Sequence, residues 1–209
     1  MAANANLERL RRYWDRHSGG YDRQMGFIDR KFFGDTRQWL CGQAEGDVLE
    51  VAIGTGLNLG LYSDDVRLTG VDLSPGMLDH ARRRAEETGR EVALSIGDAQ
   101  RLEFPDASFD TVVCTFSLCA IPDDRVAIGE MKRVLRPGGR LLLADHVVST
   151  SWAARVVQRL LEVVTIQVGG ENFRRRPIKH VQAVGFSIEQ HDRFKLGIVE
   201  RLVARKPAA

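Results

Sequence analysis

Two glycines and two carboxylates are spaced in this chain as a site for a ribose-bearing ligand would require. Gly54 and Gly56 directly follow the apolar run 48–52, which is typical of a strand buried on both faces. Glycine lets a backbone turn sharply and approach a ligand that a Cβ would push away. Asp72 ends the next apolar strand, about twenty residues after Glu50, where a carboxylate accepts hydrogen bonds from two adjacent ribose hydroxyls. The spacing predicts a ligand site at this turn.

A third glycine, which dinucleotide-binding turns require, is missing. It would fall at position 59, where the chain has Leu59. The turn then lacks the close helix packing and pyrophosphate approach that a nicotinamide or flavin dinucleotide needs. Asp98 follows a third strand-like segment, 91–96, and so joins Glu50 and Asp72 at the carboxyl ends of neighbouring strands. An adenosine ligand without a pyrophosphate fits this pattern better.

The segment Leu49-Glu50-Val51-Ala52-Ile53-Gly54-Thr55-Gly56 resembles the first motif of the class I S-adenosylmethionine-dependent methyltransferases. The similarity extends over roughly residues 45–148. It implies an enzyme whose cofactor is S-adenosyl-L-methionine, with Asp72 on the ribose, Asp98 on the adenine amine and Met77 packed on the adenosine. The cofactor-binding residues that the resemblance implies are Glu50, Ala52, Gly54, Thr55, Gly56, Asn58, Asp72, Leu73, Met77, Asp98, Ala99 and Cys114.

On the acceptor side the chain is similar to three groups of this family: enzymes that methylate alkyl thiols, quinone-biosynthesis C-methyltransferases, and bacterial phosphatidylethanolamine N-methyltransferases. Cys114 and the segment 133–139 resemble the enzymes that methylate alkyl thiols. The quinone-biosynthesis enzymes usually carry a histidine where Cys119 stands. The resemblance implies methyl transfer to a small apolar acceptor: a thiol, a phenol or quinone, or an amine. A phospholipid amine is the alternative. A cofactor-binding partner subunit without turnover and an oxidoreductase are the alternatives from other classes.

Few side chains could remove a proton from the acceptor. His146 follows strand five on the acceptor side, whereas His17 and Tyr21 lie in the N-terminal segment, which in this family commonly closes over the cofactor. Histidine is the most frequent general base, but an isolated histidine is more often structural. A thiol also needs little help, because its thiolate forms near neutral pH. His146, His17 and Tyr21 are therefore candidate catalytic residues, and the need for a base stays open.

Length and composition limit the type of protein. With 209 residues, 44% hydrophobic and 28% charged, the chain suits one α/β domain with a full core. The net charge of +2 gives no reason to expect a nucleic-acid partner. Neither a signal peptide nor an apolar run near the ~18 residues of a membrane span is recognisable, so we expect a cytoplasmic and, from the resemblance, bacterial protein. The three cysteines and five scattered histidines predict a reduced compartment and no metal site.

The order of the elements predicts how these residues are positioned. From 45 to 148, strands and helices alternate, which is typical of a parallel sheet with right-handed crossovers. We expect an α/β fold with a doubly wound, mainly parallel sheet of seven strands, the Rossmann-like methyltransferase fold. Its antiparallel edge pair should lie at 186–209, and the whole chain, 1–209, should form a single domain.

Residues 1–44 are expected to form a helical lid over the ligand. A helix is predicted at 6–16, followed by a break at Ser18-Gly19-Gly20. A second, amphipathic stretch at 27–41 places aromatic side chains near one face. A short helix at 57–62 should follow the glycine turn.

Segment 149–185 is unusually apolar. It is predicted to contain a helix at 152–168, with Arg155 and Arg159 on a narrow polar strip, and a second helix at 171–184. A helix this apolar is buried, covers a substrate cavity, or contacts a membrane or a second copy of the chain. Burial is the first expectation. Peripheral membrane contact and the choice between monomer and homodimer stay open.

Overall fold

The computed structural model of this protein describes the backbone of residues 2–208 and the side chains of residues 5–29 and 31–208. It contains a seven-stranded sheet in the order β3-β2-β1-β4-β5-β7-β6. The expected doubly wound, mainly parallel sheet with an antiparallel edge pair is confirmed. Met1 and Ala209, the ends of the expected single domain, lie outside the described residues. The strands are β1 (Asp47–Val51), β2 (Arg67–Asp72), β3 (Val92–Ile96), β4 (Phe109–Thr115), β5 (Leu135–His146), β6 (Ser187–Phe194) and β7 (Val199–Arg205).

Helices cover both faces of this sheet. Alternate side chains of β1 enter different hydrophobic clusters, Leu49 and Val51 in one and Val48 in the other, as the two-residue period of a strand requires. The core therefore lies on both sides of the sheet. The helices are α1 (Ala2–Ile28), α2 (Thr36–Cys41), α3 (Pro75–Thr88), α4 (Asp124–Val134), α5 (Trp152–Val168) and α6 (Pro177–Ala183).

The central strand β1 places the ends of its neighbours at one edge of the sheet. It pairs in parallel with β2 on one side and β4 on the other. Val51 lies opposite Val71, and Asp72 lies opposite Ile96, so the strands end at nearly the same height. The strand order reverses between β1 and β4, and open parallel sheets bind their ligands at this point.

Helix α3 has a capping residue at each end. Ser74 caps the helix, its Oγ accepting the Met77 N–H at 3.1 Å, and Pro75 occupies the first helical position. Gly89 ends the helix in the left-handed region, with a φ of 65°. Because α3 begins three residues after Asp72, the cap also holds that carboxylate at the edge of the sheet.

Helix α1 is continuous, so the break expected at Ser18-Gly19-Gly20 is wrong. Ser18 is buried, and its hydroxyl donates to the carbonyl oxygen of Asp15 in the same helix. A glycine inside a helix costs only about 1 kcal/mol relative to alanine. Leu10 and Met25 are buried on either side of the glycines. Tertiary packing of α1 therefore outweighs a local helix-breaking signal.

The amphipathic stretch at 27–41 is not one helix. A π-helical turn at Asp29–Phe33 follows α1, and Gly34, with a positive φ of 58°, separates this turn from α2. The ring of Phe33 stacks on that of Phe116, with centroids 3.7 Å apart. The helix expected at 57–62 is also reduced, to one 3₁₀ turn at Leu59–Leu61.

The end of the chain differs from expectation at two places. α6 is much shorter than the helix predicted at 171–184, since the residue before a proline, here Pro177, disfavours the helical conformation. Residues 171–176 are a loop, held in part by the Arg174 amide, which donates to Glu162. β5 begins directly after α4, where Leu135 pairs with Phe109, and it runs through His146, which was expected to follow the strand.

Helix α5 has the expected bounds, but its expected burial is wrong. Leu160 and Val163 are 68% and 65% exposed, whereas Gln158 and Glu162 are buried. Gln158 donates to the Val147 carbonyl, and Glu162 accepts from Arg174. Polar side chains therefore hold α5 on the protein while its apolar side chains face outward. Within residues 2–208, no helix is both long enough and apolar enough to cross a membrane.

Gly139 offers a test of how tightly β5 packs. A Cβ at this position would lie 2.8 Å from the Asp110 carbonyl oxygen and 3.0 Å from that of Arg136, so the backbone would have to move. We expect Gly139→Ala to lower the free energy of unfolding by about 1–3 kcal/mol, as overpacking does. Gly129→Ala in α4 is the control, because nothing lies within 4 Å of its added Cβ, and it should leave stability equal or slightly higher. Urea unfolding measures both, and an equally stable Gly139→Ala variant would contradict the packing described.

Candidate active site

A cavity of about 400 Å³ lies over the carboxyl ends of the central strands. This volume is within the range of about 300–1,000 Å³ that is typical of small-molecule sites. Side chains of α1 and α5 close it on the side away from the sheet. The lining residues that follow the strands are Ala52, Gly54, Asp72, Leu73, Asp98, Ala99, Phe116, Ser117 and His146.

The turn after β1 has the backbone conformation that its glycines allow. Gly54 and Gly56 have φ values of 59° and 78°, and Ala52 reaches 55° despite its Cβ. For a residue with a side chain this region costs on the order of 1–2 kcal/mol. A Cβ at Gly56 would lie 2.7 Å from the Leu59 side chain, whereas one at Gly54 would have no neighbour within 4 Å. Gly56 is needed for packing, and Gly54 keeps the turn open to the cavity.

Asp72 fixes this turn to the next strand. One carboxylate oxygen accepts the Gly54 N–H at 2.8 Å, and the other accepts the Ser74 N–H at 2.9 Å. Burial raises the pKa of Asp72 to about 6, although the two amide donors oppose that rise. A carboxylate has about four lone-pair sites, so oxygens that each hold one amide still accept from a ligand hydroxyl. The position suits the predicted contact with a ribose.

Glu50 lies behind the turn and does not line the cavity. It is buried and accepts from Asn58 Nδ2 at 2.7 Å and from the Tyr62 hydroxyl at 2.8 Å. Burial raises the pKa of Glu50 to about 7. Asn58 also donates to Thr115 and accepts from Arg37. Glu50 and Asn58 thus brace the turn through buried hydrogen bonds, and neither of these two predicted cofactor residues lines the cavity.

Three further predicted cofactor residues stand away from the cavity. The Thr55 hydroxyl points to α1, donating to Asp22 at 2.6 Å, and Gly56 packs on Leu59. Cys114 is fully buried in the core, where burial raises the pKa of its thiol. The remaining candidates line the cavity: Ala52, Gly54, Asp72, Leu73, Met77, Asp98 and Ala99.

Two carboxylates that the sequence pattern missed attach α1 to the ligand turns. Asp15 accepts from the Ser74 hydroxyl at 2.5 Å and from the Gly76 N–H at 3.0 Å. Asp22 accepts from Thr55 and from the Arg84 guanidinium. The predicted lid is therefore anchored to both turns that line the cofactor side of the cavity.

Two catalytic candidates lie on α1 and line the cavity. His17 Nδ1 is 2.7 Å from the Tyr13 carbonyl oxygen, so Nδ1 carries the proton and Nε2 is left as an acceptor. Burial raises the pKa of Tyr21, which keeps the phenol protonated at neutral pH. Tyr21 can donate a hydrogen bond to a ligand, but it is a poor base.

His146 lines the cavity on the opposite side. Its Nδ1 lies 3.2 Å from Asp145, whose two oxygens also accept the amides of Cys119 and His146. His146 Nδ1 makes no hydrogen bond within the described residues, but the Asp145 carboxylate beside it attracts a proton to Nδ1, which leaves Nε2 as the free base. Cys119 Sγ lies near both side chains, and the three ligand-type atoms are within 4.8 Å of one another. The expected absence of a metal therefore stays a prediction.

Glu171 is a carboxylate of the cavity that no motif indicated. It lies in the loop before α6, and within the described residues its side chain makes no hydrogen bond or ion pair. Burial raises the pKa of this carboxyl, and the nearby His146 opposes the rise. Glu171 in turn contributes to a raised pKa of Tyr13, after burial. The acceptor end of the cavity thus holds one unpaired acid.

The lining as a whole fits S-adenosylmethionine, which carries a positive charge on sulfur and another on its amine. Among the described residues the charged lining side chains are Asp72, Asp98 and Glu171, and no lysine or arginine lines the cavity. Met77 and Leu73 provide apolar surface beside the two strand-end carboxylates. A cationic adenosyl ligand is the kind of molecule that such a donor set attracts.

Comparison with known proteins agrees with this site. Residues 49–143 match the family described as "Methyltransferase domain". A phosphatidylethanolamine N-methyltransferase of Cereibacter sphaeroides is 42% identical over 118 residues, 56% of this chain and 58% of that protein. A demethylmenaquinone methyltransferase of Deinococcus radiodurans is 41% identical over 116 residues, 54% of this chain and 48% of that protein. The chain thus spans about half the length of these curated relatives.

Solved structures share the fold at lower identity. A Bacillus halodurans structure has a TM-score of 0.72 at 21% identity and covers 84% of this chain and 100% of its own. An S-adenosylmethionine-dependent methyltransferase from Methanosarcina mazei has a TM-score of 0.66 at 22% identity and covers 81% of this chain and 96% of its own. Residues 49–143 thus match a methyltransferase domain, and the chain shares the fold of these solved methyltransferase structures.

Proposed function

We propose that the protein transfers the methyl group of S-adenosylmethionine to a small apolar acceptor, a thiol, a phenol or quinone, or an amine. The observation that supports this proposal is the lining of the cavity. Asp72 and Asp98 line its side next to the sheet. Leu10, Ile121 and Phe173 line its far end, beside His146. A cytoplasmic location in a bacterium and the absence of a nucleic-acid partner belong to the same proposal.

Each group in the cavity then has a simple task. When bound, the sulfonium supplies an electrophilic methyl group with its leaving group already in place. Asp72 holds the ribose, and the open turn at Gly54 admits the methionine part. Anchored by Asp15 and Asp22, α1 excludes water from the cavity. His146 Nε2, or His17 Nε2 from the lid, takes the proton of an acceptor that carries one.

Cofactor affinity should depend on the ionisation of Asp72. The carboxylate form accepts ribose hydroxyls, so the affinity for S-adenosylhomocysteine should fall as the pH drops through about 6, where Asp72 gains its proton. Below that midpoint we expect up to about a tenfold loss per pH unit. At pH 8, Asp72→Asn should weaken binding about ten- to a hundredfold, since hydrogen bonds to a charged group contribute about 1.5–3 kcal/mol. Isothermal titration calorimetry from pH 8 to 5 measures both effects.

Glu50 provides the control, because burial raises its pKa to about 7, close to the same range. The Glu50→Gln variant should keep the midpoint near the pKa of about 6 that burial gives Asp72, while Asp72→Asn should lose it. An affinity that stays constant from pH 8 to 5 in the native protein would contradict the role given to Asp72.

Turnover is tested with methyl-labelled cofactor and a panel of acceptors. We expect labelled product with at least one of 1-octanethiol, a long-chain phenol, a naphthoquinol or an alkylamine, and none with short hydrophilic analogues, because the acceptor end is apolar. The product's mass identifies the acceptor atom class. Binding of S-adenosylhomocysteine without transfer to any of these or to lipid would instead support the non-catalytic partner subunit.

A phospholipid amine is the second candidate, and Glu171 is the observation that favours it. An unpaired carboxylate in an apolar cavity is costly unless a ligand compensates it. An ammonium group does so, and the rings of Tyr13 and Phe173 on the same lining suit a cation as well. A thiol or a quinone gives no comparable reason for an acid at this place.

The Glu171→Gln variant separates amine acceptors, the phospholipid amine among them, from a thiol. If the acceptor is an amine, kcat/KM for detergent-dispersed phosphatidylethanolamine should fall about tenfold or more, roughly 1.4 kcal/mol of lost transition-state binding. Transfer to 1-octanethiol should stay unchanged. Glu87→Gln, an exposed position on α3, is the matched control. Equal losses with both acceptors would mean that Glu171 has a structural role only.

A further inference from the structure

The outward face of α5 concentrates exposed apolar surface. Within the described residues, fourteen large hydrophobic side chains are exposed, and nine of them lie on this one helix of 17 residues. Soluble proteins rarely expose contiguous apolar patches of this kind unless something binds there. The nine residues, here called the α5 face, are Trp152, Val156, Val157, Leu160, Leu161, Val163, Val164, Ile166 and Val168.

The orientation of α5 is fixed by its polar side. Gln158 Nε2 donates to the carbonyl oxygens of Val147 and Phe173, and its Oε1 accepts the Ser149 amide at 2.9 Å. Glu162, one turn further on, accepts the Arg174 amide and pairs with the guanidinium of that residue. Rolling the helix to bury its apolar side would leave two buried polar groups unpaired, which costs more than a lost surface contact. The α5 face is therefore built to point outward.

The charges around the α5 face select an anionic partner. Arg155 and Arg159 are exposed, and their guanidinium groups make no ion pair or hydrogen bond within the described residues. The only acid of the helix, Glu162, is buried in its pair with Arg174. In a symmetric dimer through this face, a second copy would bring two more arginines and no exposed carboxylate from the same helix. Apolar side chains flanked by free arginines match a bilayer with anionic headgroups.

The α5 face continues into the cavity. Leu161 is 51% exposed, yet together with Thr165 it also lines the cavity opposite Leu7 and Leu10 of α1. The mouth of the acceptor end thus opens at the edge of the apolar face. A lipophilic molecule in a bilayer that covers this face would reach the cavity without crossing water.

We propose that the α5 face docks the protein on an anionic lipid surface and that the acceptor enters the cavity from that surface. The observations that support docking concern α5 alone, whereas the route of the acceptor rests on the proposed function. Binding of the α5 face is peripheral. Its side chains enter the boundary between the lipid headgroups and the acyl chains, and the helix backbone stays at the surface of the bilayer.

The test uses the full chain and sedimentation with two kinds of vesicle, pure phosphatidylcholine and an equal mixture of phosphatidylcholine and phosphatidylglycerol. We expect at least tenfold tighter binding to the mixed vesicles. The double variant Leu160→Glu/Val164→Glu should lose at least tenfold in binding to the mixed vesicles. Val126→Glu is the matched control, since Val126 is an exposed apolar residue on another helix. The Arg155→Gln/Arg159→Gln variant should lose only the preference for the anionic mixture.

Two further measurements keep the result unambiguous. Circular dichroism and titration with S-adenosylhomocysteine should be the same in all variants, because none of the four substituted positions on α5 lines the cavity. If the native protein does not bind S-adenosylhomocysteine, the proposed function is wrong, whereas the docking result is unaffected. Docking is contradicted if the native protein binds neither kind of vesicle. It is also contradicted if ultracentrifugation shows that the native protein is a dimer and the Leu160→Glu/Val164→Glu variant a monomer.

Discussion

The hydrogen bond between the Gly54 amide and the Asp72 carboxylate joins the parts of this structure that the ligand site depends on. It ties the turn after β1 to the end of β2, and the same carboxylate holds the first residues before α3 through the Ser74 amide. Parallel pairing brings the two strand ends to one height, so the bond needs no distortion of the sheet. The positive φ values of Ala52, Gly54 and Gly56 then shape the turn around it. This bond fixes the turn from the cavity side, while the hydrogen bonds to Glu50 brace it from behind.

This arrangement buries two acids, Asp72 and Glu50, at positions where their charged forms are unfavourable. Burial raises the pKa of Asp72 to about 6 and that of Glu50 to about 7, so neutral pH forces a charge on groups that the folded state would hold protonated more easily. Both pKa values are higher in the folded state than in the unfolded state. Ionisation of each acid therefore lowers the free energy of unfolding as the pH rises through its folded pKa. Hydrogen bonds from Asn58 and Tyr62 offset part of that cost for Glu50. Acids kept at such a cost are typical of binding sites.

Local signals in the sequence predicted the sheet and the strand ends that carry the candidate cofactor residues, but not which of those residues line the cavity. The glycines at 54 and 56 and the acids at 72 and 98 each follow a strand, and strand order alone brings them together. Contacts between distant segments could not be predicted in this way. Asp15 and Asp22 were missed because their partners, Ser74 and Thr55, lie far along the chain, and Glu171 was missed because only the fold brings its loop to the cavity. α5 was misjudged for a different reason: apolar periodicity measures how apolar a face is, not which way it points. Gln158 and Glu162, four residues apart, were the available signal, since polar groups at that spacing share one side of a helix.

The two ends of the cavity are closed by different kinds of contact, and this difference separates two routes into the site. At the cofactor end, α1 is held by carboxylates on hydroxyl, amide and guanidinium donors, all of which water can replace when the lid moves. At the acceptor end, the Arg9 guanidinium of α1 donates to the last carbonyls of α5, and Leu7, Leu10 and Leu161 line the cavity. Opening the first end exposes polar groups and suits a soluble, charged cofactor. Opening the second exposes hydrocarbon, which favours an apolar molecule already in contact with α5. On the proposed function, the cofactor and the acceptor would therefore enter one cavity through different ends.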